Sequence, residues 1–454
     1  MIVMKFGGSS VANAERIRHM AEIVKARLSR RPIVVLSAMG DTTDHLLDSG
    51  AAALERGEIT IDKVEEHHLK TLAELNLSEQ AHKEALKHIQ PLLAELRSLL
   101  TGISLIRELT GKTKDYLVSF GERLSVRIAA AHFASLGVNV RAIDAWDGGF
   151  VSNSNFTSAE IANESWNLIP AKLLPPVEEG VLQLVTGFIA KDEKGNITTL
   201  GRGGSDLTAT MIAASCGALE VQVWKDVDGI LTADPRLVPN ARPVETVSYE
   251  VASELAYFGA QVLHPRAMQP CMKTGTPVLV KNSYNPEAPG TRIVSELSVK
   301  DSHIITLTSR KKETLVDIVS SRMLGQYGFL AEVFSWFATH SLSVDMIASS
   351  EVSVSLTLDS KYDLSELQRD LSKIASVEVK TNKAIVTIIG DVRRSSKILA
   401  HSFSICESLG VQVQMISQGA SKVNISFIVE DHEADTVLKA LHEDFFENGY
   451  DDSE

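Results

Sequence analysis

The chain has 454 residues, 44% of them hydrophobic and 23% charged, with a formal net charge of −13. That length is enough for about three domains, and the acidic balance excludes a general electrostatic footprint for DNA or RNA. The apolar runs fall short of the ~20 residues needed to cross a bilayer, no basic segment precedes an apolar one as in a signal peptide, and Cys216, Cys271 and Cys406 are too few and too scattered for a disulfide framework or a zinc site.

The first predicted element is a buried strand, Ile2-Val3-Met4, ending at Lys5. Gly7-Gly8 break it, and Ser9-Ser10 stand where a helix running to Leu28 can begin. Strand, glycines and helix start make an anion site: backbone N–H groups approach a phosphate closely and the helix end adds partial positive charge. Lys5 is then placed to neutralise a phosphoryl group. A second strand, Ile33–Ser37, feeds the polar loop Ala38–Asp44, placing Ser37 and Thr43 at a strand's carboxyl end, where open α/β sheets bind ligands.

From Glu55 to about Thr110 the pattern is helical and amphipathic, and its histidines read as a solvated face. Gly111-Lys112-Thr113 is not a phosphate loop, because Ile106 occupies the position that needs glycine. We expect a strand at Asp115–Ser119, with Glu122 at its junction with a helix to Leu136, then strands at Val138–Ile143 and Val181–Thr186. Leu200–Leu207, LGRGGSDL, surrounds Arg202 with glycines, and Ser205 and Asp206 open the next helix. This suits an anion held by backbone N–H groups and Arg202. The strand Val221–Trp224 leads into a polar loop carrying Lys225, Asp226 and Arg236; a helix follows at Val251–Ala267, a last strand at Pro277–Lys281, and a linker at Pro286–Lys300. Strands separated by helices argue for a mostly parallel sheet flanked by helices.

The tail changes character and repeats. A strand–helix–strand–strand–helix–strand unit from Leu315 to Lys380 is followed by a second from Ala384 that ends at its second helix, Ala434–Phe446. The strand His303–Thr308 lies before the first unit, and we expect it to complete the second, making the first an insertion.

KFGGSS, VVLSAMG, SFGERLS, LGRGGSD, WKDVDGILTADPR and FGAQVLHP occur in the order found in aspartokinases, and the tail resembles that family's paired ACT domains. SEVSVSLTLD and MISQGASKVNISFIV are similar to the monofunctional, lysine-sensitive type. The resemblance covers nearly the whole chain. It implies an amino-acid-kinase fold over 1–298 with a helical insertion at about 55–112, a ferredoxin-like βαββαβ ACT domain at 313–382, and a second formed by 303–310 and 383–447. The implied reaction is transfer of the ATP γ-phosphoryl group to the β-carboxylate of L-aspartate, with Mg2+ arriving with ATP rather than on a protein cluster. Lys5 and Asp206 would be catalytic. Ser37, Thr43, Glu122, Arg202 and Ser205 would bind aspartate; Gly7, Gly8, Ser9, Lys225, Asp226 and Arg236 would border the nucleotide. Met323, Gln326, Gly328, Phe329, Leu330, Asp345, Ser350, Glu351 and Val352 would receive inhibitory lysine. The resemblance further implies a homodimer or higher homo-oligomer through the ACT domains, no nucleic-acid or membrane partner, and a cytoplasmic protein or a plastid one without its transit peptide. Gln261 and Leu231 depart from the family, standing where many members have lysine and several have tyrosine. The rival expectations are another amino-acid kinase, such as an acetylglutamate kinase, or an ACT-domain amino-acid sensor without activity.

Overall fold

The computed structural model describes residues 1–257, 263–296, 304–324, 327–390, 392, 395–419 and 423–448. Gln261 and Gln326 lie outside them. The chain forms two compact units. The first holds Met1–Ile230, Glu245–Ser253 and 263–296; the second holds Leu231–Val244, 254–257 and the described residues from Ile304 on.

The first unit runs β1 (Ile2–Phe6), α1 (Ala14–Lys25), β2 (Pro32–Leu36), α2 (Thr42–Arg56), α3 (Asp62–Glu74), α4 (Glu79–Ile106), α5 (Gly111–Ser135), β3 (Val140–Ile143), β4 (Val151–Ser152), α6 (Ser165–Glu178), β5 (Leu182–Thr186), β6 (Ile189–Asp192), β7 (Ile197–Thr199), α7 (Gly204–Cys216), β8 (Val221–Lys225), β9 (Thr246–Ser248), α8 (Tyr249–Tyr257, which ends in the second unit), α9 (Pro265–Thr274), β10 (Val278–Asn282) and β11 (Thr291–Val294). The main sheet has the order β3-β5-β2-β1-β8-β10-β11-β9. Its first six strands are parallel, and β11 is antiparallel to β10. Strands β1, β2 and β5 are buried along their whole length, which requires helices on both faces. The strand order reverses direction at β1, so the crevice beyond its carboxyl end is where a ligand belongs.

Four expectations need correction in this unit. Asp115–Ser119 is not a strand: α5 runs unbroken from Gly111, and Glu122 sits inside it. The helix is buried nearly all round, so it shows no stripe, and a short apolar run looks the same in a buried helix and a buried strand. Gly121 stands inside this helix without breaking it. It is there because the helix passes so close to the chain at Ala38 that a β-carbon would meet Ala38 Cβ at 2.7 Å. The stretch after Gly7 is a 3₁₀ turn, Gly8–Val11, and α1 starts only at Ala14, where the Asn13 side chain accepts the Arg16 N–H. The linker at Pro286–Lys300 contains β11, which is too short to signal itself beside a proline and a glycine. The helix expected over Val251–Ala267 ends at Tyr257 among the described residues, and α9 begins at Pro265 under a His264 cap. Helix α4 is long and apolar enough to cross a membrane by length and composition alone. Here its Ile89, Leu93, Leu96 and Leu100 enter the core shared with α5 and β1.

The second unit runs β12 (Ile304–Val319), α10 (Phe329–Thr339), β13 (Ile347–Ser349), β14 (Ser353–Asp359), α11 (Ser365–Leu371), β15 (Ser376–Gly390), α12 (Ser395–Ser408), β16 (Met415–Ser417), β17 (Asn424–Glu430) and α13 (Ala434–His442). They form one antiparallel sheet, β13-β14-β12-β15-β17-β16. The strands expected at His303–Thr308 and Leu315–Ser320 are one long strand, as are those at Val377–Lys380 and Ala384–Ile389. Each carries a residue with left-handed backbone at the joint, Lys312 (φ 59°) and Asn382 (φ 56°), and pairing shifts register there without ending. Ile304–Arg310 thus pair with the second half of β15. Two cores result: Val316, Phe337 and Leu356 in one, Ile388, Phe427 and Leu438 in the other.

Candidate active site

The site grows from the alternation of β1. Ile2, Met4 and Phe6 enter the core on one face, which turns Lys5 to the other, toward the first turn of α7. There the Lys5 Nζ lies 2.6 Å from Asp206 Oδ1, and the Lys225 Nζ at the end of β8 lies 4.0 Å from Oδ2. Lys5 and Asp206 are both buried. Burial alone would raise the Asp206 pKa, but Lys5 and then Lys225 outweigh it and hold the carboxyl below its ordinary value. Burial and the nearby Lys5 pull Lys225 down, against the support of Asp206. Two lysines around one carboxylate, at the carboxyl ends of neighbouring strands, leave net positive charge for an anion.

A cavity of about 910 Å³ opens beside this pair. Its lining includes Lys5, Ser37, Thr43, Glu122, Arg202, Ser205 and Asp206, so all of the expected catalytic and aspartate-binding residues meet in one space. Gly203, with φ of 73°, ends the loop that presents Arg202; a β-carbon there would also strike His264 at 2.7 Å. Arg202 is exposed between two glycines. Across the cavity Glu122 is 3% exposed and accepts the Ala38 N–H through Oε1 at 3.1 Å. Its Oε2 has no hydrogen-bond partner among the described residues. Burial pushes the Glu122 pKa up to about 8.

The residues expected at the nucleotide divide. Gly7, Gly8 and Ser9 form the turn beyond β1. Ser10 Oγ lies 2.8 Å from Ser283 Oγ, and the Ser283 N–H donates to Lys225 O at 2.7 Å. The ends of β1, β8 and β10 are therefore tied side by side, with Lys225 and the exposed Asp226 among them. Arg236 belongs to the second unit, is exposed, and pairs with Asp234, its Nη2 2.6 Å from Oδ2. Leu231, too, is in the second unit.

Sequence reasoning missed Lys114, Asp115, Thr157, Phe188 and Thr199, which also line the cavity. Asp115 and Glu122 are two helical turns apart, so reading 111–135 as one helix would have put both on one face. Phe188 has φ of 68°, rare for a bulky residue and typical of a constrained site.

The expected effector residues that are described all lie in the second unit, at the start of α10 and around β13. Met323 ends a 3₁₀ turn, and Gly328, Phe329 and Leu330 begin α10. The Ser320 N–H donates to Val352 O at 2.9 Å, which sets the Ser350–Val352 turn beside Met323. Ser350 Oγ is held 2.7 Å from Ser353 Oγ, and Glu351 is exposed. Asp345 lies at the other end of β13, roughly 16 Å of extended chain away. It precedes that strand rather than standing on it, and its carboxylate pairs with Arg310 and receives the Tyr257 hydroxyl at 2.9 Å.

Residues 1–282 match the amino acid kinase family, and residues 386–445 match the ACT domain. The chain is 46% identical to aspartokinase 1, chloroplastic, of Arabidopsis thaliana, over 98% of this chain and 80% of that one. It is similar to the crystal structure of Escherichia coli aspartokinase III in complex with lysine and aspartate, at TM-score 0.84 and 34% identity, over 98% of this chain and all of that one. The same enzyme in complex with aspartate and ADP gives TM-score 0.79 at 33% identity, with the same coverage. The buried Lys5–Asp206 pair at the end of β1, the glycine-framed Arg202 facing Glu122, and likeness over nearly the full length agree: the chain belongs to the aspartokinase family.

Proposed function

We propose that this aspartokinase-family enzyme binds L-aspartate in the cavity between Arg202 and Glu122 and transfers the γ-phosphoryl group of ATP to its β-carboxylate. One observation carries the assignment: a single cavity offers a guanidinium for a carboxylate, an unpartnered buried carboxylate oxygen for an ammonium, and a lysine at the phosphate-binding strand end. Aspartate has complementary charges. Arg202 would take its α-carboxylate, Glu122 its ammonium, and Ser37, Thr43 and Ser205 its remaining oxygens. The β-carboxylate is ionised at neutral pH and attacks without a general base. Phosphoryl transfer then asks for alignment and neutralised charge. Lys5, held by Asp206, supplies that charge where the γ-phosphoryl passes. Gly7, Gly8, Ser9, Lys225 and Asp226 would border ATP.

Among the described residues no three His, Cys, Asp or Glu side chains are grouped to hold a metal ion. Mg2+ would arrive with ATP, its ligands phosphate oxygens and water. The tail would act as two ACT domains, 313–382 inserted into 303–310 plus 383–447, that join copies of the chain and bind lysine as inhibitor in a cytoplasmic or plastid setting. The E. coli relative in complex with lysine supports the lysine part of this reading. The test is ADP release, coupled to a reporter, with L-aspartate, L-glutamate and N-acetylglutamate in turn. Turnover with aspartate alone is expected; preference for either alternative would make the chain a different amino-acid kinase, and no turnover with any would make it a sensor.

A further inference from the structure

We propose that Asp115 and Arg266 are positioning residues that lock the wall of the cavity presenting Arg202. The inference rests on the reading of that cavity as the aspartate site. Arg202 is exposed and flanked by Gly201 and Gly203, so its own contacts do not fix it; the backbone behind it must. That backbone is the segment 199–203, packed against 157–159. A β-carbon on Gly201 would lie 3.1 Å from Ser158 Oγ and 3.3 Å from Thr157 O.

Asp115 is 1% exposed and gathers the N–H groups of both segments. Its Oδ2 accepts from Thr157 N at 2.8 Å and from Thr199 N at 2.9 Å, and its Oδ1 accepts the Thr199 hydroxyl at 2.8 Å. Thr157 has φ of 71°, a conformation that a β-branched residue resists. The bond to Asp115 is what holds it there. Arg266, on the first turn of α9, gathers carbonyls of the same segments. Its Nη1 donates to Leu200 O at 3.1 Å and Ser158 Oγ at 3.4 Å, and its Nη2 to Ala159 O at 2.5 Å. An anion thus collects donors and a cation collects acceptors, and both act on the strip of chain that carries Arg202. Neither is needed for the chemistry assigned to Lys5, Glu122 and Arg202.

Asp115 also lines the cavity, so direct contact with the substrate ammonium is the competing role. The two roles predict opposite behaviour for Asp115→Asn. As a clamp, asparagine suffices: its oxygen accepts both N–H groups, and its amide donates to the Thr199 hydroxyl, which can accept. As a charge partner, asparagine fails.

The experiment is steady-state kinetics of the full chain for Asp115→Ala, Asp115→Asn, Arg266→Ala and the Asp115→Ala/Arg266→Ala double variant. Asp115→Ala, which strands the buried Thr199 N–H and releases the Thr157 N–H, should raise the aspartate KM about tenfold or more. The ATP KM should stay unchanged and kcat should change less than the aspartate KM. Asp115→Asn should restore most of the loss. Arg266→Ala should raise the aspartate KM alone, and the double variant should lose less than the product of the two, because either change frees the same wall. Asp115→Asn as poor as Asp115→Ala would overturn the clamp in favour of charge contact, and parallel rises in both KM values would overturn it in favour of general structural damage. If Asp115→Ala fails to fold, Asp115→Asn and Arg266→Ala decide the matter. A wild type that releases no ADP with aspartate would overturn the proposed function itself; failure confined to the variants would overturn only this inference.

Discussion

Glu122 ties aspartate binding to pH. Its carboxyl is buried, and burial outweighs the Ala38 N–H, its own backbone N–H and the charge of Lys5, pushing its pKa up to about 8. At pH 7, about one unit below that value, roughly nine-tenths of the molecules carry the proton. A substrate ammonium against Oε2 favours the ionised form, so binding expels a proton. The cost of removing it is about 1.4 kcal/mol for each pH unit below 8. The aspartate KM should therefore fall about tenfold per unit from pH 6 to pH 8 and then flatten, while the ATP KM shows no such slope. Stability moves the other way. The folded pKa lies above the unfolded one, so the contribution is fully present below about pH 4.5 and lost as pH rises through about 8; the whole effect is at most about 5 kcal/mol. Glu122→Gln should abolish the KM slope, weaken aspartate binding, and melt with less dependence on pH over that window. Steady-state KM values at four pH values and thermal melts of both proteins without ligand are sufficient. A flat aspartate KM in the wild type, or the same slope in Glu122→Gln, would refute the argument.

Lys5→Ala should lower kcat by about 10²–10³-fold, because its charge acts on the transferring group. The fold should survive, since Lys225 remains 4.0 Å from the stranded Asp206; circular dichroism and kcat together check this. Arg202→Ala removes an exposed side chain and should leave the melting temperature nearly unchanged, yet weaken aspartate binding by about 2–5 kcal/mol without a matching effect on ATP; calorimetric titration with each ligand separates the two. Asp345→Ala should relieve inhibition by lysine and leave uninhibited kcat alone, because Arg310 keeps Glu313, 2.6 Å away, as a partner. Equal inhibition of both proteins in a lysine titration would place the effector elsewhere.

The strand ends were legible because their chemistry is local. Lys5 before two glycines, and Arg202 and Asp206 around LGRGGSD, declare an anion site within a few residues of chain. What sequence hid was distance. Asp115 touches Thr157 and Thr199, 42 and 84 positions away, and nothing near Asp115 signals that. Helix α5 was misread for a related reason: burial on every side erases the periodicity that marks a helix. In the tail the repeat gave the element order, but a bulge can replace a loop, so two strands became one at Lys312 and again at Asn382.

The central claim is that a phosphoryl group passes from ATP to the β-carboxylate of aspartate in the Lys5–Glu122–Arg202 cavity. An acyl phosphate formed there is trapped by hydroxylamine as a hydroxamate whose position records which carboxylate was phosphorylated. Incubation of the full chain with ATP, Mg2+, L-aspartate and hydroxylamine, read by mass spectrometry, should yield the β-hydroxamate with the wild type and almost none with Lys5→Ala. An α-hydroxamate, or no hydroxamate from a folded wild type, would contradict the account.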